Sequence, residues 1–171
     1  IPGVEKEGVF LYRTIEDLEL MREWAPRAKK GAVIGGGLLG LEAAKAMLDL
    51  GVSDTHVIEF APRLMPRQID QSASSILQSK LESLGLTIHT SKNTTEIVGE
   101  TFINGMRFQD DTLIDVDMLV ISAGIKPRDE LAKSSGLEVG PRGGIMVNKY
   151  MQTSDKYRSE EHTSELQSRL Q

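Results

Sequence analysis

Three glycines within six residues are the most informative chemical feature of the sequence. Gly35, Gly37 and Gly40 fit the pattern G-x-G-x-x-G, which follows a short apolar run and opens a segment with helical periodicity. The first glycine permits a tight turn, the second lets the backbone approach a pyrophosphate, and the third allows close helix–strand packing. Free N–H groups of a helix starting near Leu38 would face the phosphates. A dinucleotide site is therefore predicted here, against the alternative of a glycine-rich turn without a ligand.

Glu59 lies 19 residues after Gly40, close to the spacing of about 20 residues expected for an acid that binds ribose. Its carboxylate could accept hydrogen bonds from the 2′- and 3′-hydroxyls and would repel a 2′-phosphate, which predicts NAD(H) in preference to NADP(H). The alternative is a solvated acid at the end of a strand. Arg63 and Arg67 follow in a loop and could reach a 2′-phosphate, contact the adenine or pyrophosphate, or be solvated.

Three further polar residues are candidates for a functional role. Glu42 is expected on the first turn of the helix, where it either complements the helix dipole or lies near the nicotinamide. His56 and His89 have no second His, Cys or acid at ligand spacing, and we interpret both as structural. We assign no catalytic residue and no metal site, because hydride transfer needs only a cofactor that is held and oriented by the protein.

Composition excludes several classes of function. The 171 residues carry 25 acidic and 20 basic side chains, a net charge of −5, and no basic run that could follow phosphates along a nucleic acid. There is no cysteine, so disulfides, thiolate nucleophiles and iron–sulfur ligation are excluded from this chain, and redox chemistry has to come from an organic cofactor. No apolar stretch is long enough to span a membrane, and a cytoplasmic protein is expected.

Apolar periodicity predicts alternating strands and helices in the first half of the chain. This β-α-β-α-β order favours a parallel sheet. Capping residues and glycines mark the helix ends. The predicted strands cover residues 8–12, 32–34, 55–60 and 86–89, and the predicted helices cover residues 15–25, 38–50 and 71–84.

The periodicity then changes to short runs at residues 94–98, 101–108 and 112–114, typical of an antiparallel meander. Asn104-Gly105 could be a hairpin turn, but the alternation on either side favours a bulge within one strand. Met118 to Ile121 suits a buried strand that returns to the parallel sheet. A short helix near 129–134 and two short strands within 136–157 complete the prediction. The fold class expected is α/β, a Rossmann-like three-layer domain with a parallel sheet and an antiparallel meander.

Four segments resemble the NAD(P)H-binding region of the FAD-dependent pyridine-nucleotide reductases. They are VIGGGLLGLEAAKAMLDLG, VIEFAPRLMPRQID, HTSKNTTEI and ISAGIKP, within a resemblance that covers residues 1–157 and is strongest to the assimilatory NAD(P)H nitrite reductases. The resemblance implies an NAD(H)-binding domain at 14–134, inserted between the end of one FAD-domain segment at 1–13 and the start of a second at 135–157. It also implies FAD in the parent protein, with sirohaem and iron–sulfur clusters in other regions if the parent reduces nitrite.

The same resemblance implies roles for individual residues. Glu59 would hold the ribose and Arg67 the adenosine side, while Glu42 and Gly124 would lie by the nicotinamide. The implied partners are NADH, an FAD domain of the same protein and a small nitrite reductase subunit. The residues implied to surround the pyrophosphate are Gly35, Gly36, Gly37, Leu38, Leu39 and Gly40.

Both termini suggest a fragment. The chain begins at Ile1 without an initiator Met, and RSEEHTSELQS at 158–168 resembles the translation of a sequencing-library adapter. We therefore expect residues 158–171 to lie outside the fold. Two alternatives to a nitrite reductase remain open from the sequence: another FAD-dependent reductase of rubredoxin, ferredoxin or oxygen, and a non-catalytic NAD-sensing module.

Overall fold

The structure is a computed structural model that describes residues 1–124 and 127–160. The chain divides into two compact units, Ile1–Gly124 and Ile125–Gln171. Most of the predicted adapter-like tail, residues 161–171, lies outside the described residues. Within those residues, no helix is long and apolar enough to cross a membrane.

Eight strands and four α-helices form the described part of the chain. The strands are β1 (Val9–Leu11), β2 (Lys30–Ile34), β3 (Asp54–Ile58), β4 (Leu86–His89), β5 (Thr94–Gly99), β6 (Ile103–Phe108), β7 (Leu113–Ile114) and β8 (Met118–Ile121). The helices are α1 (Ile15–Trp24), α2 (Leu38–Asp49), α3 (Gln71–Ser83) and α4 (Glu130–Ser134), and a short 3-10 turn covers Ala25–Arg27.

Local hydrogen bonds explain where the helices begin. Thr14 and Asp17 form a capping box at the start of α1, in which the Thr14 hydroxyl accepts from the Asp17 N–H and the Asp17 carboxylate accepts from the Thr14 N–H at 2.9 Å. The Asp70 carboxylate accepts from the Ala73 N–H at 2.8 Å and caps α3. Both caps lie directly before the residues at which the sequence predicts these helices to begin.

A five-stranded parallel sheet with the order β1-β8-β2-β3-β4 divides the first unit into layers. Alternate side chains of β2 point to opposite faces. On one face, Val33 belongs to a core with Met21 of α1 and Met47 of α2. On the other, Ala32 and Ile34 belong to a second core with the antiparallel sheet β5-β6-β7. The predicted three-layer α/β fold is confirmed.

The predicted bulge at Asn104 is also confirmed. Strand β6 is continuous, and Val98 pairs with Gly105 while Gly99 pairs with Ile103. Asn104 is thus the extra residue of the bulge and has no cross-strand partner in the ladder.

Several apolar residues that share a helix face are nevertheless exposed. Ile15 and Leu18 of α1 are 74% and 41% exposed, because only the end of the helix, at Met21, is buried against the core. Likewise, Ile76 of α3 is 73% exposed. In the described part of the second unit, the two strands expected within 136–157 are replaced by single bridges, Val139–Ile145 and Gln152–Ser159, and the second of these includes a residue of the expected tail.

A buried carboxylate organises the second unit. Asp129 accepts a hydrogen bond from the Gly144 N–H at 2.9 Å and pairs with Lys133 at 2.6 Å. The hydrogen bond from Lys133 holds the pKa of Asp129 below its usual value. Gly143 and Gly144 have φ values of +85° and +80°, so the turn that Asp129 closes requires glycine. This turn connects Val139 with Ile145, which pair as a single antiparallel bridge.

Candidate dinucleotide-binding site

The turn after β2 is confined by its neighbours in the sheet. Gly35 has φ +118° and donates its N–H to the Ile58 carbonyl at 2.8 Å. A Cβ at Gly35 would lie 2.5 Å from the Ser122 carbonyl oxygen, just beyond β8. Both its conformation and its surroundings therefore require glycine at this position.

The other two glycines of the motif have opposite environments. A Cβ at Gly40 would lie 1.9 Å from the Gly35 carbonyl oxygen, so α2 can cross the turn this closely only because Gly40 has no side chain. A Cβ at Gly37 would meet nothing within 4 Å. The backbone at Gly37 thus faces open space, as a surface that approaches a pyrophosphate requires.

The N-terminus of α2 presents free donors beside this open space. Gly37 is the N-cap residue, no side chain caps the helix, and the Leu41 N–H donates to the Gly37 carbonyl at 3.0 Å. Helix geometry leaves the preceding N–H groups, those of Gly37, Leu38, Leu39 and Gly40, without an intrahelical acceptor. Leu38 and Leu39 are about half exposed, at 56% and 49%. These donors and the helix dipole favour an anion.

The Glu59 carboxylate is fixed beside the glycine turn. Its Oε2 accepts from the Gly36 N–H at 2.6 Å and its Oε1 accepts from the Ala61 N–H at 2.7 Å. A Cβ at Gly36 would lie 2.9 Å from Oε2, so the contact depends on glycine there. Each carboxylate oxygen keeps further acceptor capacity. Two fixed acceptors side by side suit the two adjacent hydroxyls of a ribose.

The two arginines of the following loop differ in their contacts. Arg67 is exposed. Arg63 is half-buried, its Nη2 donates to the Pro66 carbonyl at 3.0 Å, and its Nε is buried without a partner among the described residues. The Arg63 side chain is therefore partly bonded within its own loop, whereas the Arg67 side chain is exposed at the surface of that loop.

Both residues expected near the nicotinamide, Glu42 and Gly124, are exposed. Glu42 lies on the second turn of α2, not on the first as predicted, because the helix already begins at Leu38. This position makes the helix dipole a weaker reason for an acid at Glu42, because the dipole acts mainly within the first turn. Gly124 has φ +87° and follows β8 by three residues.

The sequence-based interpretation of the two histidines missed that they contact each other. His56 Nδ1 lies 2.9 Å from His89 Nε2, the rings stack with centroids 5.2 Å apart, and His56 Nε2 lies 3.1 Å from the Asp54 carboxylate. The pairing of Ile58 with His89 between β3 and β4 brings them together. Burial, followed by the charges of His56 and Lys92, lowers the pKa of His89. In the described ranges, no group of three or more His, Cys, Asp or Glu residues is arranged to hold a metal.

The sequence analysis also missed a pocket next to Glu59. It has a volume of about 260 Å³ and is lined by Phe60 and by residues 91–93 and 108–110. Phe60 is 73% exposed although it directly follows a buried strand and Glu59. An aromatic residue immediately after the predicted ribose-binding acid is the signal that could have indicated this pocket.

The parallel sheet, the antiparallel sheet on one face and the glycine turn before α2 define a dinucleotide-binding α/β domain. The family model of the pyridine nucleotide-disulphide oxidoreductases matches residues 1–157, and the chain belongs to this family. Membership implies NAD(P)H and FAD as its redox groups.

Several known proteins are similar to this chain. The NADH nitrite reductase large subunit of Escherichia coli is 54% identical over 91% of the chain and 18% of that protein. The NAD(P)H nitrite reductase of Bacillus subtilis is 48% identical over 90% of the chain and 19% of that protein. The crystal structure of a ferredoxin reductase from Rhodopseudomonas palustris matches with a TM-score of 0.86 and 31% identity, over 93% of the chain and 39% of that structure. The chain thus spans less than a fifth of the two nitrite reductases.

Proposed function

We propose that this chain binds NADH as the electron-entry part of a flavoprotein oxidoreductase. When bound, NADH supplies a hydride, and FAD held by the parent protein accepts it. The observation that carries this proposal is the position of the Glu59 carboxylate, a fixed pair of acceptors next to the free N–H groups at the start of α2. The glycine turn and α2 hold and orient the nucleotide.

We propose one part of the nucleotide for each group of residues. The pyrophosphate lies on the N–H groups of residues 37–40, and the adenine ribose lies on Glu59. Arg67 lies on the adenosine side, and Glu42 and Gly124 lie beside the nicotinamide. We further propose that residues 14–134 form the NAD(H)-binding domain and that 1–13 and 135–157 belong to an FAD domain.

The charge of Glu59 favours NADH over NADPH. A carboxylate repels a 2′-phosphate while it accepts hydrogen bonds from the free hydroxyls. Arg63 is partly committed to the Pro66 carbonyl, which leaves Arg67 as the cation of this loop that is freer to approach a phosphate.

For the whole protein we propose reduction of nitrite to ammonia in the cytoplasm, within nitrate assimilation. The support is 54% identity to one nitrite reductase large subunit and 48% identity to a second nitrite reductase. Sirohaem and iron–sulfur clusters would be held outside this chain, which has no cysteine to ligate them. A small nitrite reductase subunit and the FAD domain are the proposed protein partners.

Calorimetric titration of the 171-residue chain with NADH and NADPH tests the nucleotide site. We expect NADH to bind more tightly. Gly37→Val should abolish binding without loss of fold, because its side chain enters the open space over the turn and a Cβ there meets no protein atom within 4 Å. Circular dichroism checks the fold of this variant. Equal affinity for the two nucleotides, or undiminished binding to Gly37→Val, would contradict the proposal.

A further inference from the structure

Three titratable side chains at the edge of the parallel sheet are not used by the proposed nucleotide site. Asp54 and His56 lie on β3, and His89 is the last residue of β4, the edge strand. The Asp54 carboxylate lies 3.1 Å from His56 Nε2, and His56 Nδ1 lies 2.9 Å from His89 Nε2. The side chain of Asp54 is 50% exposed and that of His56 only 15%. The three side chains therefore form a continuous chain of hydrogen bonds from the surface to the end of β4.

These hydrogen bonds fix where the protons of the two rings lie. An ionised carboxylate only accepts hydrogen bonds, so His56 Nε2 carries a hydrogen, and Nδ1 of the neutral ring accepts from His89 Nε2. One added proton fits this arrangement, because a protonated His56 can donate from Nδ1 to the other tautomer of His89. A second added proton does not fit, since two N–H groups would then face each other across 2.9 Å and both rings would be positively charged.

The last residue of this chain of hydrogen bonds also holds the backbone of Glu59. Ile58 is the end of β3 and pairs with His89, and the Glu59 N–H donates to the His89 carbonyl at 2.8 Å. The Lys92 N–H donates to the Glu59 carbonyl at 3.0 Å. Glu59 thus lies just beyond the sheet and is anchored to β4 and the loop after it. A movement of His89 that separates the two rings also moves the carbonyl that anchors Glu59.

The charges that face the two histidines determine when the second proton binds. A positive charge on His56 is paired with the Asp54 carboxylate. Burial, followed by the positive charges of His56 and Lys92, lowers the pKa of His89, and Lys92 is itself paired with Asp110 on the turn after β6. α3 also packs against β4, but among the described residues the charged groups that act on His89 are His56 and Lys92. The second proton therefore binds to His89 only below its ordinary pKa of about 6.5.

From these observations we propose that Asp54, His56 and His89 are positioning residues, which hold Glu59 in place for the ribose and release it when both histidines are protonated. This inference rests on the proposed function, because the ribose on Glu59 is part of that function. It goes further, since it makes the affinity for NADH depend on pH through side chains that do not themselves bind the ribose. NADH should bind about tenfold more weakly at about pH 5 than at about pH 8, as expected for the loss of one hydrogen bond to a charged group.

Calorimetric titration of the 171-residue chain with NADH at these two pH values tests the proposal. His89→Gln keeps an amide that can donate to or accept from His56 Nδ1, but it gains no proton. It should bind NADH as the unaltered chain does at about pH 8, and it should lose most of the tenfold decrease at about pH 5. His89→Leu has no donor, so it should already bind about tenfold more weakly at about pH 8. His162→Gln removes the third histidine of the sequence and is the matched control, which should keep the pH dependence of the unaltered chain.

Glu59→Ala shows whether the histidines act through Glu59. Without a carboxylate to position, Glu59→Ala and the double variant Glu59→Ala/His89→Gln should have the same pH dependence. Circular dichroism checks the fold of each variant, and where one unfolds at about pH 5 the comparison of His89→Leu with His89→Gln at about pH 8 decides.

Three results would overturn the positioning role while NADH binding by the unaltered chain stands. They are an unchanged pH dependence in His89→Gln, equal affinities of His89→Leu and His89→Gln at about pH 8, and a difference between Glu59→Ala and the double variant. If the unaltered chain failed to bind NADH at about pH 8, the proposed function itself would be overturned.

Discussion

Removal of the Glu59 side chain should reverse the nucleotide preference and not only weaken it. The carboxylate oxygens accept hydrogen bonds from the N–H groups of Gly36 and Ala61, at 2.6 and 2.7 Å. In Glu59→Ala both donors lose their acceptor, which is the group proposed to bind the ribose. A 2′-phosphate can then accept these two hydrogen bonds, whereas the 2′-hydroxyl of NADH loses a charged acceptor.

The size of the reversal follows from two contributions. Both nucleotides lose the bond from the 3′-hydroxyl, so relative to NADPH the NADH molecule loses one hydrogen bond to a charged group, that of its 2′-hydroxyl, worth about 1.5 kcal/mol at the lower end of the usual range. NADPH is freed from repulsion between the carboxylate and a phosphate with about two negative charges, worth about 2 kcal/mol at a separation of about 4 Å in water. The preference should therefore shift toward NADPH by about 3.5 kcal/mol, a few hundredfold.

Calorimetric titration of each variant with both nucleotides measures this shift. Glu96→Ala is the matched control, because Glu96 is also a half-exposed acid, but it pairs with Arg107 in the antiparallel sheet. Its ratio of affinities should equal that of the unaltered chain. The reasoning is refuted if Glu59→Ala weakens NADH and NADPH by the same factor, since the carboxylate would then act on the fold and not on the 2′-position.

Two further predictions concern stability. Gly40→Ala should lower the free energy of unfolding by about 1–3 kcal/mol in urea titrations, because its Cβ would lie 1.9 Å from a carbonyl oxygen, whereas Gly37→Ala should change it by less than about 0.5 kcal/mol. Equal effects would contradict the difference in packing. Because the pKa of folded His89 lies below 6.5, the unfolded chain binds more protons, so stability should fall as the pH is lowered below about 6.5. A His89→Gln variant should lose this part of the pH dependence, and an unchanged profile would exclude His89 as its source.

Local sequence patterns predicted most of the fold and one part of the site. The strands 86–89 and 118–121 were predicted with the bounds the structure has, because continuous apolar runs between turn residues leave few alternatives. The glycine spacing and Glu59 were also visible, since the glycine turn and the acid lie on consecutive β-α-β elements.

Contacts between distant segments could not be predicted in this way. The His56–His89 pair depends on the register between β3 and β4, and a shift of one residue would place the rings on opposite faces. The pocket at Phe60 depends on how the turn after β6 approaches the loop after β4. The exposure of Ile76 reflects packing, because apolar periodicity identifies a face of a helix but not how much of it the sheet covers.

The strand order has a consequence for how the chain folds. β8, the last of the described strands along the chain, lies between β1 and β2, and the Ser122 carbonyl beyond it confines Gly35. During synthesis, β1 and one edge of β2 therefore have no pairing strand until almost the whole first unit, including β8, has left the ribosome. Contacts this distant in sequence slow folding, because a long loop has to close before they form. Nucleotide binding should accordingly be a late event in folding, and acquisition of NADH affinity would report that the parallel sheet is complete.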